Sequence, residues 1–284
     1  MTKIAIVTDS SSNLPKAFIE SNHVRVIPLK IHWDDNAFED GVDITPVEFY
    51  KRLEKSSTIP TTSQPSAGDF LRIFKELAPH YDGIVVPLIS SGISGTVVSA
   101  KTAASMFSEI PVLIIDSRST TAGLALIVTA IAQAVSDGKS LDEIKNLAED
   151  IINRLDMFFV VDTLKYLHKG GRIGGASRYF GTALSIKPIL FFNDQGKIDA
   201  FEKVRTKRKA TVRLIQLAVE KADGKPVKAG VLHANAPVEV KNLQEKLLQQ
   251  LNCTQVEIYD LSPAIGVHVG PGTIGLAIYT ADGK

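Results

Sequence analysis

The chain has 284 residues, a formal net charge of +1 from 32 basic and 31 acidic side chains, and 44% hydrophobic residues. The near-neutral balance gives no global reason to bind nucleic acid, while the apolar share suffices for one large α/β domain or two modest ones. A single cysteine, Cys253, excludes an internal disulfide and any cysteine-rich metal site.

The apolar run KIAIVTD at residues 3–9 predicts a buried strand that enters the loop SSSNLP and then a helix. HVRVIPLKI reads as a second strand. In TPVEFYKRLEK, Thr45 stands as N-cap, Pro46 at N1 and Glu48 at N3, which predicts a helix start. SSTIPTTSQPSAG reads as a long loop, DFLRIFKELAPHY as a helix, GIVVPL as a strand and TVVSAKTAASMF as a helix. PVLIIDS predicts a strand, AGLALIVTAIAQAV a helix, and SLDEIKNLAEDIINRL a helix with a capping box at Ser140 and Glu143. Strands alternating with helices this regularly predict a mostly parallel sheet covered on both faces.

The pattern changes near residues 156–163. IKPILFFNDQGKIDAFEKVR predicts a hairpin turning at residues 194–196. Beyond it, ATVRLIQLAVEKA and PVEVKNLQEKLLQQL read as helices, and VKAGVLHAN, TQVEIYDL and GTIGLAIYT as strands. The expectation is an α/β domain over residues 1–160 and an α+β domain over residues 161–284. The N-terminus runs straight into the first strand, and the apolar core of residues 122–135 is shorter than the ~20 residues of a membrane span. A cytoplasmic location is expected.

Four segments carry candidate chemistry. LISSGISGTVVSA at residues 88–100 lacks the lysine of a nucleotide phosphate loop. It also lacks the last glycine of a nucleophile elbow, since Thr96 stands there. What remains is a strand, a hydroxyl-rich turn and a helix N-terminus that favours an anion. A plain helix cap needs one hydroxyl; this loop supplies several. The loop TIPTTSQPS is either a solvated connection or a second hydroxyl cluster at the carboxyl end of the sheet. YLHKGGRIGG is either a flexible turn between domains or a bare backbone that projects Arg172 toward a carboxylate or phosphate. In IGVHVGPGTIG, His268 lies among glycines and is suited to donate to an anion or exchange a proton. His233 reads as structural. The five cations of KVRTKRKA fit a solvated helix start, a docking patch for an acidic partner or a phosphate-facing patch. No metal site is expected: no histidines stand at ligand spacing, and Asp34, Asp35, Glu39 and Asp40 read as solvated surface.

Taken in order, VTDSSSNLP, TTSQPS, SSGISGT, YLHKGGRI, VRTKRKA and HVGPGTIG resemble the DegV family of lipid-binding proteins, which includes the B subunits of bacterial fatty acid kinase. The departures are mild, chiefly Ile89 and Ile93 where leucine is common. The resemblance implies two α/β-type domains with one long-chain fatty acid buried between or within them. It places the carboxylate at Thr62 and Ser94, flanked by Ser63, Gly95 and Thr96 of the same motifs, with Arg172 and His268 close to the carboxylate and its later phosphate. It also implies no cofactor and no catalytic residue of the chain's own. A separate ATP-binding kinase subunit would form the acyl phosphate; Arg205, Lys207 and Arg208 are candidate docking residues for it, and a membrane surface is a candidate transient contact. Two other readings differ in class: a serine hydrolase using Ser94 and His268, and a phosphosugar-binding module with a small polar pocket.

Overall fold

The computed structural model describes residues 3–181, 186–253 and 255–281. Along the chain the first half contains β1 (Ile4–Asp9), α1 (Lys16–Ser21), β2 (Arg25–Ile27), β3 (Lys30–Trp33), β4 (Asn36–Glu39), α2 (Pro46–Leu53) and β5 (Thr61–Ser63). It continues with α3 (Ala67–Leu77), β6 (Gly83–Leu88), α4 (Thr96–Ser105), β7 (Val112–Asp116), α5 (Thr121–Ser136) and α6 (Leu141–Arg154). The parallel sheet runs β2-β1-β6-β7. Period-2 alternation divides its side chains between two faces. Ala5, Val7, Ile84 and Val86 meet Phe70, Phe74, Val97 and Ala100 of α3 and α4. Ile4, Ile6 and Val85 face the opposite way, toward α5.

The stretch expected as one second strand is two. β2 joins the parallel sheet, and after Pro28, which has no N–H for a ladder, β3 pairs antiparallel with β4 and β5 in a separate three-stranded sheet. The expected long loop therefore contains a strand, with Thr62 in register with Ile31. Reciprocal capping boxes form at Thr45/Glu48 and Ser140/Glu143 as the sequence predicts, and a further one forms at Ser66/Asp69.

The second half contains β8 (Asp156–Val160), α7 (Lys165–Lys169), β9 (Lys187–Phe192), β10 (Ile198–Val204), α8 (Lys207–Ala222), β11 (Val227–His233), α9 (Pro237–Gln250), β12 (Val256–Asp260), α10 (Pro263–Val269) and β13 (Ile274–Thr280). Thr254, at the start of the expected TQVEIYDL strand, lies outside the described residues. A six-stranded mixed sheet runs β10-β9-β8-β13-β11-β12, so residues 156–160 belong to this sheet and not to the parallel one. The β9–β10 hairpin forms as expected, with Gly196 in the left-handed region at its turn. Phe158, Val160, Leu276 and Ile278 face α8 and α9; Met157, Phe159 and Leu232 face the other way.

α5 explains how the two sheets join. It is apolar on nearly every side and mostly buried, as a helix enclosed all round must be. It packs on β1 and β6 of one sheet and on β11 and β13 of the other. Among the described residues no helix is long and apolar enough to cross a membrane.

Candidate functional site

Chain order in the parallel sheet reverses at β1, whose two neighbours are β2 and β6, and open α/β sheets bind ligands outside the carboxyl ends of strands at such a point. The loops after β1 and β6 meet there. Asp9 ends β1, is fully buried, and accepts hydrogen bonds from the Ser11 and Ile89 backbone N–H groups at 2.9 and 2.8 Å. Desolvation outweighs these bonds and raises its carboxyl to about 6. The serine loop is held from the second half of the chain as well, because Ser90 Oγ donates to the Gly196 carbonyl of the β9–β10 turn at 2.7 Å.

A narrow cavity lies beside this loop, with an open volume of about 50 Å³. Most of its wall is apolar: Leu29, Ile89, Ile93, Met157, Phe159, Leu167, Phe192, Ile198, Leu232, Leu261, Ile265 and Val269. Thr62, Ser63, Gln64, Ser94, Arg172 and His268 supply polar groups to the same wall. Residues of four of the segments singled out from sequence are thus brought to one space. The body of α5 lines none of it; only Thr120 and Thr121 at its N-terminal end do.

Thr62 and His268 touch. Thr62 Oγ1 is 2.7 Å from His268 Nε2 across the junction of β5 and α10. His268 does not sit in a glycine loop, as its neighbours in sequence suggest, but on the short helix α10. Burial, followed by the positive charge of Arg172, pulls its imidazole down to about 4, so it is neutral at pH 7. An Nε2–H that donates to Thr62 leaves the threonine O–H free to donate in turn. The pair can therefore offer a neutral hydrogen-bond donor to an anion. The ring's Nδ1 has no hydrogen-bond partner among the described residues and packs against Gly170, where a Cβ would collide with it. That close approach, more than flexibility, is what the glycine of HKGGRI serves.

Ser94 Oγ lies 2.8 Å from Thr96 Oγ1 and accepts from the Thr96 N–H at 3.3 Å. Gly95 is the N-cap of α4 and has no side chain to cap the first turn. Arg172 directs Nε at the Ile93 carbonyl (3.1 Å) and Nη1 at the Gly170 carbonyl (2.6 Å), tying the serine loop to α7. Ser63 alternates away from Thr62, with its hydroxyl 2.8 Å from His32 Nε2.

The basic segment is separate from the cavity wall. Arg205 and Arg208 are exposed, while Lys207 lies 3.4 Å from Glu239 and 3.9 Å from Asp162. His233 accepts from the Ala236 N–H at 3.3 Å, a structural role. The hydrolase reading loses its geometry. Ser94 pairs with Thr96, His268 pairs with Thr62, and no carboxylate orients Nδ1 among the described residues. The apolar wall likewise disagrees with a phosphosugar pocket. Sequence reasoning missed Gln64 in the cavity wall and Asp40, which it read as surface and which is 2% exposed.

A family model described as "Uncharacterised protein, DegV family" matches residues 3–281. A DegV domain-containing protein of Halalkalibacterium halodurans is 38% identical over 281 residues, covering 98% of this chain and 99% of that one. A solved DegV family structure from Thermus thermophilus, described by its fatty acid binding, superposes with a TM-score of 0.93 at 32% identity and covers 99% of this chain and 100% of that one. Bacillus subtilis DegV, described as a fatty acid binding protein, gives 0.90 at 33% identity with the same coverage.

Proposed function

The chain belongs to the DegV family, and we propose that it binds a long-chain fatty acid, tail in the apolar cavity and carboxylate at Thr62 and Ser94. The observation that carries this reading is the Thr62–His268 hydrogen bond set in the wall of a mostly apolar cavity. A sixteen-carbon chain with ~14 buried methylenes gains ~11 kcal/mol before the costs of association. Each hydrogen bond to the carboxylate adds about 1.5–3 kcal/mol. The tail supplies most of the affinity and the hydroxyls fix the orientation. Because the open volume is small, side chains of the apolar wall must shift to admit the chain. The fatty acid binding described for the Thermus and Bacillus relatives supports the same reading.

Within that reading the bound carboxylate is the substrate of a separate ATP-binding kinase subunit in the cytoplasm. A carboxylate oxygen attacks the γ-phosphorus of ATP, the bond to ADP breaks, and an acyl phosphate remains on this protein. Thr62, Ser94, Gly95 and Thr96 form the carboxylate side; Ser63, whose hydroxyl turns to His32, supports Thr62 from the next position of β5. Arg172 supplies the positive charge for the incoming phosphoryl group, and His268 serves as a neutral donor because burial keeps it uncharged. The exposed Arg205 and Arg208, with Lys207, form the docking patch for the kinase. Lipid passes to and from the site by transient contact with a membrane surface.

Mass spectrometry of denatured, as-purified protein tests the binding step: a long-chain fatty acid is expected. Its absence, together with no saturable uptake of added palmitate, overturns the reading.

A further inference from the structure

Four carboxylates at residues 34–40 look alike in sequence, and the fold separates them. Asp40 is 2% exposed and accepts two hydrogen bonds: from Ser10 Oγ to Oδ2 at 2.6 Å, and from the Ala264 N–H to Oδ1 at 3.0 Å. Ser10 Oγ in turn accepts from the Leu29 N–H at 3.1 Å. These contacts reach both arms of the ligand site. Ala264 is the second residue of α10, and His268 lies one turn further along the same helix. Leu29 immediately precedes β3, whose Ile31 is in register with Thr62 of β5.

From this convergence we propose that Asp40, acting with Ser10, is the positioning residue that sets His268 against Thr62 for ligand binding; the proposal rests on the fatty-acid reading of the site. α10 depends on help from outside itself. Its N-cap Ser262 makes no side-chain cap bond and Pro263 has no N–H, so the Ala264 N–H is the first donor of the helix and Asp40 is its acceptor. A negative side chain beside the helix N-terminus also complements the helix dipole. Further along, Gly266 lets α10 press on α2, where a Cβ would stand 2.6 Å from Tyr50 Oη. A helix this short, fixed at its first donor and at Gly266, carries His268 as a rigid arm. Releasing the first anchor lets the imidazole leave Thr62 without touching either residue of the pair.

The test uses the full chain with Asp40→Asn, Ser10→Ala and Ser10→Thr, the last keeping the hydroxyl. An asparagine can satisfy the Ala264 N–H or accept from Ser10, but cannot do both as a carboxylate does. Imidazole nitrogen NMR signals of His268, assigned with His268→Gln, report the contact to Thr62 directly; palmitate titration reports binding and thermal melting reports the fold. In Asp40→Asn and Ser10→Ala the His268 signals are expected to move toward their position in Thr62→Val, and palmitate affinity to fall about tenfold. The His233 signals stay in place, and Ser10→Thr restores the wild-type pattern. If the His268 signals of both variants coincide with wild type, or affinity falls only in step with melting temperature, the proposal is overturned. Should Asp40→Asn not fold, Ser10→Ala alone decides. Should the wild-type protein bind no palmitate, the fatty-acid reading fails while the imidazole signals still decide the positioning role.

Discussion

Thr62 and His268 are 206 positions apart in the chain and 2.7 Å apart in the structure, one on a strand of the small antiparallel sheet and one on α10. Thr62→Val removes the hydroxyl at nearly constant volume and leaves Nε2 unpaired as well. Palmitate binding is expected to weaken about 10- to 100-fold, the range for one hydrogen bond to a charged group. Calorimetric titration of wild type and variant decides; an unchanged dissociation constant places the carboxylate elsewhere.

Gly170→Ala probes the opposite side of the same ring. A Cβ there collides with His268 Nδ1, and the Tyr166 carbonyl stands 3.2 Å from it, so the imidazole or α7 must move. The expected result is a loss of palmitate affinity at least as large as that of Thr62→Val, with a lowered melting temperature. Gly171→Ala is the control for space, since nothing lies within 4 Å of a Cβ there, although its φ of +70° adds backbone strain. Equal affinities in the two variants count against the close-approach argument.

Two buried groups oppose each other in the pH dependence of stability. His268 falls from 6.5 to about 4, so its contribution is present above pH 6.5 and is lost as the pH drops through 4. Asp9 rises from 3.8 to about 6, so its burial costs stability above pH 6 and that cost disappears as the pH drops toward 3.8. Each shift corresponds to roughly 3 kcal/mol, with opposite signs over nearly the same window. The two largely cancel in the wild-type protein. In His268→Gln the imidazole's share is gone while that of Asp9 remains, and denaturant unfolding between pH 7 and pH 4 is expected to show stability relative to wild type rising on acidification. A His268→Gln curve parallel to wild type contradicts the neutral, buried imidazole.

Arg172→Ala should separate binding from turnover. On the proposed reading the tail supplies most of the affinity, whereas the guanidinium is the positive group beside the carboxylate and a kinase partner forms the acyl phosphate. Acyl phosphate formation with the ATP-binding kinase subunit is expected to fall further than palmitate affinity. Arg172→Lys keeps the charge but loses the paired contacts to the Ile93 and Gly170 carbonyls, and should lie between the two. Equal losses in binding and turnover for Arg172→Ala argue that it only holds the loop.

Much of the scaffold is legible in the sequence because it rests on local rules. Thr45, Pro46 and Glu48 mark the start of α2, and Ser140 with Glu143 mark α6, through contacts within four residues. The division of HVRVIPLKI into β2 and β3 is less legible. Both pieces have strand composition, and only the choice of partner sheet separates them. α10 was missed because a seven-residue helix set among glycines has too few turns to show a period.

The site divides along the same line. The family resemblance carried by the ordered motifs implied that Thr62, Ser94, Arg172 and His268 belong together, and the absence of a phosphate-loop lysine set the serine loop apart from a nucleotide site. Only the tertiary structure decided that Asp40 is buried while Asp34, Asp35 and Glu39 are exposed, that Gly170 makes room for an imidazole, and that His268 is neutral. The physical reason is that hydrogen-bonding chemistry belongs to a residue type and can be read where it stands. Desolvation and pairing instead belong to neighbours that arrive from other parts of the chain.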